Sequence, residues 1–355
     1  MISISLCMIV KNEEAILARC LDSCKGLMDE IIIVDTGSTD RTREIALQYT
    51  NQVYDFQWVQ DFAAARNYAF SKASCDYIFS ADADEVLDTE NQQRLLDLKT
   101  LLLPEIDIVQ MKYVNVSNIA SVYNSQKEYR PKLFKRLRTF TWISPIHETV
   151  RLEPIVFDSD IEILHMQESN HAARDFSVFV HAIKQGTRLE PYVLTMFCKE
   201  LYIAGTPDDF HLVADIFKTV LPHQNYDDAH YHDIACILAR IYRLEGNVTE
   251  FFKVCLKEAA AAPPAEICME LGEYFLSQED YAEAVLWFIN ASSETQSILD
   301  IHSSGDAPLQ KLAQCYAQLA SLEQEKGNTD TAKTYTANSQ NYLLLAKEWT
   351  LPEEL

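Results

Sequence analysis

The first 110 residues alternate between short apolar runs and longer polar segments with helical patterning. Ile2–Val10 is a continuous β-leaning run, Glu30–Val34 a second, Gln52–Phe56 a short third and Asp76–Ser80 a fourth. Between them, Asn12 to about Lys25, Ser38–Tyr49 and Asp61–Ala73 read as helices, with Asn12 and Asp61 placed to cap. This rhythm predicts an α/β fold, a Rossmann-like sheet with parallel strands and helices on both faces. Ligands of such sheets sit beyond the carboxyl ends of the strands. The residues that follow each apolar run are therefore the candidate chemistry.

From about Ala172 onward the pattern is helical throughout. Three segments beginning at Leu238, Leu271 and Leu319 each read as a small-residue helix, a polar turn and a second helix. Gly272, Phe275, Ala284, Phe288 and Ala291 fall at tetratricopeptide spacing. A polar insertion, Ser292–Asp306, separates the second copy from a degenerate third. Tyr192–Leu221, with a Gly205-Thr206-Pro207 turn, reads as a further helical hairpin, and the final helix as a cap. The expected division is an α/β domain over 1–172 and an all-α repeat domain over 173–355.

Bulk properties narrow the function. The formal charge of −23 makes a surface that repels phosphate backbones, so nucleic-acid binding is not expected. No run approaches the ~20 apolar residues of a membrane helix, and the N-terminus lacks the basic lead and cleavage site of a signal peptide. The 9 cysteines are odd in number and form no CxxC pair. Cys20 and Cys24 read as reduced core residues, and a cytoplasmic location is expected.

Three acidic clusters follow strands: Lys11-Asn12-Glu13-Glu14, Asp35-Thr36-Gly37-Ser38-Thr39-Asp40 and Asp82-Ala83-Asp84-Glu85. Like charges gathered at one sheet edge call for a cation or a hydrogen-bonding ligand. Asp82 and Asp84 are alternate residues and can face one point, as carboxylates that hold Mg²⁺ with a diphosphate do. Asp35 can accept from a base or a ribose. Ser38 and Asp40 suit the start of a helix. Arg66 can reach a phosphate or tie down Asp82 or Asp35. Arg130, Lys132, Phe134 and Arg136 would share one strand face and could meet a leaving diphosphate, or line a solvated edge. His147 and Glu148 follow an apolar segment and can supply a general base; His165 is a satisfied polar residue or a metal ligand.

Together CMIVKNEE, IIIVDTGSTDRT, W…DFAAARN, the Asp82-Ala83-Asp84 strand end, Lys132–Phe134 and Ile146–Glu148 resemble family-2 glycosyltransferases of the GT-A fold. More narrowly, they are similar to the bacterial branch with a tetratricopeptide-like tail, which includes enzymes that glycosylate peptides and proteins. The resemblance covers residues 3–170; in the tail it is architectural. It implies nucleotide contacts at Val10, Glu13, Asp35, Arg66, Asp82, Ala83 and Lys132. It implies Mn²⁺ or Mg²⁺ at Asp84 with Asp82 and His165, and an acceptor base at Glu148, with His147 the rival. Met166-Gln167-Glu168 departs from the family's pattern after the histidine. The expected function is inverting, metal-dependent transfer from a UDP-sugar to an acceptor, a peptide or protein among the candidates. Specificity would lie in loops around 112–130 and 166–175, and self-association would use the helical tail. The alternative is an adaptor whose helical groove does the work beside an inactive nucleotide-sugar domain. A nucleotidyltransferase would need a glycine-rich basic loop after the first strand, where this chain has Lys11-Asn12-Glu13-Glu14.

Overall fold

The computed structural model describes residues 1–116, 127–166, 172–224 and 226–351. The stretches 117–126 and 167–171 of the two expected specificity loops lie outside the described residues. The chain divides into two compact units, Met1–Gly186 and Thr187–Leu351. Among the described residues, no helix is long and apolar enough to cross a membrane.

The first unit is an α/β layer. Its strands are β1 (Ile4–Val10), β2 (Glu30–Asp35), β3 (Val53–Asp55), β4 (Tyr77–Ala81), β5 (Glu85–Val86), β6 (Ile108–Asn115), β7 (Lys127–Lys135) and β8 (Val156–His165). Its helices are α1 (Leu17–Ser23), α2 (Thr42–Ala46), α3 (Phe62–Phe70), α4 (Thr89–Leu101) and α5 (Ala172–Lys184). The sheet order is β3-β2-β1-β4-β7-β6-β8-β5. The four expected strands are mutually parallel where they pair, while β7 runs antiparallel to β4 and β6, so the sheet is mixed. Alternation divides the core into two layers. Ile4, Leu6, Met8 and Val10 pack on the side of α1 and α4; Cys7, Ile32 and Val34 pack on the side of α3.

One covalent link sets the shape. β4 and β5 are separated by four strand spacings in the sheet order, about 19 Å at ~4.8 Å each if the sheet were flat. The chain from Ala81 to Glu85 can span at most about 14 Å. The sheet must therefore curl, and Asp82-Ala83-Asp84 bridges the mouth of the curl.

Some local readings needed correction. Asp61 caps α3, accepting from Ala64 N at 2.9 Å, as expected. Asn12 does not cap α1, which begins only at Leu17. Its backbone is left-handed (φ 56°), and its Oδ1 accepts instead from Thr39 N at 2.8 Å, tying the first two acidic loops together. Ser38 likewise lies before α2 and accepts from Asn12 N, while Asp40 accepts from Thr42 N at the start of that helix. Arg136 leaves the β7 strand for a short 3₁₀ turn, so it does not share a face with Arg130 and Lys132.

The second unit is entirely helical among its regular elements. After α6 (Pro191–Ala204) and α7 (Pro207–Asp215), three hairpins follow: α8 (Asp228–Leu244) with α9 (Val248–Ala259), α10 (Ala265–Ser277) with α11 (Tyr281–Ile289), and α12 (Asp306–Glu325) with α13 (Thr329–Glu348). The α6–α7 turn carries a capping box between Thr206 and Asp209. The three hairpin turns are conformational copies. Gly246, Glu279 and Gly327 have φ of 68°, 59° and 80°, and each precedes an N-cap residue, Asn247, Asp280 or Asn328, of nearly identical backbone angles. A Cβ added at Gly272 would come within 2.5 Å of Phe288 Cε1, so the glycine permits the close α10–α11 crossing. The expected insertion is held by a buried carboxylate: Glu266 accepts from Ile298, Leu299 and Asp300 backbone N–H groups. Glu270, on the same helix, is paired with Arg240 and Arg243 at 2.6 Å each.

Candidate active site

The carboxyl ends of β1 and β2 form one interlocked edge. Val10 and Asp35 are partners in register, and Thr36 N donates to Val10 O at 3.0 Å. Asp35 is buried, and its Oδ1 accepts from Gly37 N (3.1 Å) and Ser38 N (2.8 Å). Gly37 has φ 103°, which only glycine adopts freely, and this lets the chain turn back over the aspartate. Glu13 N donates to Thr42 Oγ1 at 2.7 Å, and Glu14 N to Asp40 Oδ2 at 3.2 Å. The first two acidic clusters thus lie side by side.

The end of β4 carries a guanidinium-centred cluster. Arg66, on α3, donates through one terminal nitrogen to Asp82 Oδ1 at 2.8 Å, through the other to Ser80 Oγ at 3.2 Å, and through Nε to Glu148. Its guanidinium also lies over the Trp142 ring, 5.0 Å from the centroid. Burial alone would raise the Asp82 carboxyl, but Arg66 and then Lys132 outweigh it and hold Asp82 well below the ordinary range. The two carboxylates in turn lock the Arg66 charge in place.

Glu148 reaches this cluster because its loop is pinned to α3. Asn67 exchanges two hydrogen bonds with the Trp142 backbone, at 2.9 and 2.8 Å, and Phe62 N donates to Pro145 O at 2.8 Å. Ile143 and Thr149 pair across the loop. Ser144 and His147 both adopt left-handed backbone angles, φ 74° and 47°, a strain tolerated where surrounding structure over-determines a site. The His147 ring packs 5.7 Å from Phe179 of α5, whereas Glu148 meets Arg66.

Asp84 and His165 form a second pair across the mouth of the curl. His165 Nε2 lies 3.0 Å from Asp84 Oδ2, and its Nδ1 lies 2.8 Å from Asn115 Oδ1. Glu85 and His165 are ladder partners, and Met166 N donates to Asp84 O. Between the pair and the Arg66 cluster, Ala83 is buried. A nitrogen and a carboxylate oxygen this close suit a divalent cation completed by water and diphosphate oxygens. Among the described residues no group of three or more metal-ligating side chains converges.

Beneath these residues the curl holds Glu85, which the sequence reading named only as a member of its acidic cluster, and Tyr113, which it did not name. Glu85 is buried and paired with Lys132 Nζ; burial raises its carboxyl, with Lys132 opposing. Tyr113 is buried against Arg130 (3.8 Å from the guanidinium carbon to the ring centroid), Lys132 (5.3 Å) and His165 (4.9 Å between rings). The basic cluster therefore divides. Arg130 and Lys132 line the curl, while Arg138 and Lys135 pair with buried Asp107 and Arg136 donates to Cys75 O at the opposite end of β4. Alternation could have flagged Tyr113 and Asn115 as same-face residues; nothing local in sequence pairs Glu85 with Lys132. All nine cysteines are free; Cys75 is the one not buried.

The first unit is thus a mixed, curled α/β sheet with acidic loops at its carboxyl edge, and helical hairpins make up the second. Residues 5–151 match the family described as Glycosyl transferase family 2, and this segment is a domain of that family. The chain is 35% identical over 178 residues to a TPR repeat-containing protein of Synechococcus elongatus, covering 48% of this chain and 39% of that one. It is 31% identical over 262 residues to the prophage-derived glycosyltransferase SunS of Bacillus subtilis, covering 68% and 59%. The chain thus spans less than two thirds of either relative's length. Among solved structures it is similar to glucosyl-3-phosphoglycerate synthase of Mycobacterium tuberculosis in complex with Mg²⁺ and UDP, at 18% identity and a TM-score of 0.38, over 54% of this chain and 82% of that one.

Proposed function

We propose that the protein transfers a sugar, with inversion, from a UDP-linked donor to a hydroxyl or thiol of an acceptor, in a reaction that depends on Mn²⁺ or Mg²⁺. The observation that carries this reading is the adjacency of two side-chain systems on Asp82-Ala83-Asp84: Arg66 with Asp82 and Glu148, and Asp84 with His165. Val10, Glu13 and Asp35 are assigned to the nucleoside, since they occupy the joined edge of β1 and β2. Asp84 and His165 would hold the cation, with Asp82 beside them. When bound, the cation supplies positive charge that stabilises the departing diphosphate.

The chain's own residues account for the rest. Lys132 and Arg130, each held by a carboxylate (Glu85 and Glu128) and packed over Tyr113, place cationic groups inside the curl and are assigned to the departing diphosphate. Glu148 takes the proton from the acceptor as its oxygen or sulfur bonds to the anomeric carbon and the bond to the diphosphate breaks on the opposite face. Arg66 holds Glu148 and Asp82 in fixed relation, so base and donor are aligned before the acceptor arrives. A peptide or protein is the acceptor class proposed, with the helical hairpins as its holding surface and as the place where two copies would associate. A cytoplasmic location goes with the nine free cysteines.

Thermal shift with UDP and Mn²⁺, followed by a screen of nucleotide sugars for metal-dependent hydrolysis, tests the reading. A melting point raised by UDP only with Mn²⁺, and hydrolysis of one donor, are expected. No response to UDP and no hydrolysis would overturn it in favour of a helical adaptor.

A further inference from the structure

Imidazole has two nitrogens, and a neutral ring can give a metal only the one that carries no proton. At His165 both nitrogens are already engaged, Nδ1 by Asn115 Oδ1 at 2.8 Å and Nε2 by Asp84 Oδ2 at 3.0 Å. With the proton on Nδ1, that nitrogen donates to Asn115, and two lone pairs face each other across the 3.0 Å gap at Nε2. This arrangement is unfavourable empty and favourable with a cation between them. With the proton on Nε2, the ring donates to Asp84, and Asn115 must present its amide N–H₂ to Nδ1 instead. An asparagine can do either, because half a turn of its amide exchanges oxygen for nitrogen. A leucine can do neither, and an aspartate can only accept.

We infer that Asn115 is a positioning residue that sets the proton of His165 on Nδ1 and so aims the Nε2 lone pair at the cation beside Asp84. The inference rests on the metal reading proposed above. The backbone makes the placement firm. Asn115 and His165 are direct ladder partners in the β6–β8 pair, and Val116 N donates to His165 O at 3.1 Å. Tyr113, two residues earlier and so on the same face, packs its ring 4.9 Å from the imidazole. The ring is thus gripped on one edge by an amide and on one side by a phenol. Its other edge is aimed at a residue that is itself fixed by the Asp84 O to Met166 N hydrogen bond. Ligands oriented by such outer partners lose roughly 10–100-fold in metal affinity when the partner is removed.

The test is Mn²⁺ binding by the full chain with saturating UDP, read from the loss of the free-ion magnetic resonance signal, so that no turnover is needed. Asn115→Leu is expected to weaken Mn²⁺ by about 10–100-fold while leaving metal-free UDP affinity unchanged. Asn115→Asp, which keeps the acceptor for Nδ1, is expected to bind Mn²⁺ at least as well as the parent. In a His165→Ala background, Asn115→Leu should add no further loss, since the asparagine would have no ring to orient. Parent-like Mn²⁺ binding by Asn115→Leu overturns the inference, as does an additional loss in the His165→Ala background. Weak binding by both Asn115 variants, in proteins that melt like the parent, overturns it too. A parent that takes up no Mn²⁺ overturns the metal reading and this inference with it, whereas a parent that binds and an unaffected Asn115→Leu leaves the metal reading standing.

Discussion

Arg66 is the most connected group of the candidate active site, and replacing it with methionine isolates what its charge does. Methionine keeps most of the aliphatic length, so packing against Trp142 largely survives. Glu148, only 11% exposed, would lose its guanidinium partner, while Asp82, 36% exposed, could recover some hydration. Stripping one partner from a buried ion pair costs about 3–5 kcal/mol, mostly the uncompensated charge left behind. Asp82's access to water sets the expectation at the lower end, about 3 kcal/mol. Adding Glu148→Gln to Arg66→Met should restore about 1–2 kcal/mol, because the orphaned charge is gone and contacting sites couple by such amounts. Arg66→Lys should fall between, since a single ammonium cannot donate to both carboxylates in a fork. The assay is urea unfolding by tryptophan fluorescence. Because the chain has two compact units, it belongs in a Trp287→Phe, Trp349→Phe background that leaves only Trp58 and Trp142 of the first unit as reporters. An Arg66→Met protein within 0.5 kcal/mol of its parent on the scale of ordinary surface changes would refute the reasoning, as would a double variant no better than the single one.

Three further outcomes follow from the same structure. Glu148→Gln should slow sugar transfer by about 10²–10⁴-fold, the usual worth of a general base, with UDP affinity by calorimetry unchanged; near-normal turnover would move the role to His147. Gly272→Ala should lower stability by up to about 2 kcal/mol, because overpacking at Phe288 costs about 1–3 against a helix-propensity gain near 1, and melting should show the loss vanish when Phe288 is also leucine. At Glu30, burial works to raise the carboxyl, but hydrogen bonds from Ser5, Ser74 and Gln52 hold it below the ordinary glutamate value. A depressed native value gives stability that is fully present above the unfolded value near 4.3 and lost as pH falls through the native one. Glu30→Gln should therefore be less stable than the parent at pH 7, with the gap closing below about pH 4 in urea titrations.

What was legible in the sequence was whatever short-range pattern determines. Apolar runs gave β1, β2 and β4 to within a residue or two, and Asp61 announced the start of α3. Asp82, Asp84 and Glu148 were readable as candidates because each follows an apolar segment. What escaped depended on partners distant in sequence. Asn12 has a good capping side chain, but Thr39 uses it, so α1 starts late. Arg130, Lys132 and Arg136 read as one strand face. A strand running antiparallel to β4, ending in a 3₁₀ turn, delivers the first of them to the candidate active site and the last to the far edge of the sheet. Glu85 looked like one more acid in a polar loop. Only the curl that brings it beneath Lys132, 47 residues away, makes it a buried ion pair. Alternation put Asn115 on the face of Tyr113, but its significance is a cross-strand neighbour, His165, 50 residues away.

The three hairpin turns at Gly246, Glu279 and Gly327 share one backbone shape. A connector that bends the chain the same way each time acts as a ruler: every added hairpin leaves its turn in the same geometry, whatever the residues on its faces. The length of the helical part can therefore change in whole hairpins, by duplication or loss, without any turn being redesigned. Asn247 and Asp280 are 33 residues apart, whereas Asp280 and Asn328 are 48 apart. The surplus lies in the connection before α12, where Glu266 gathers three backbone amides. Extra sequence is absorbed between hairpins, and the turns within them keep their form.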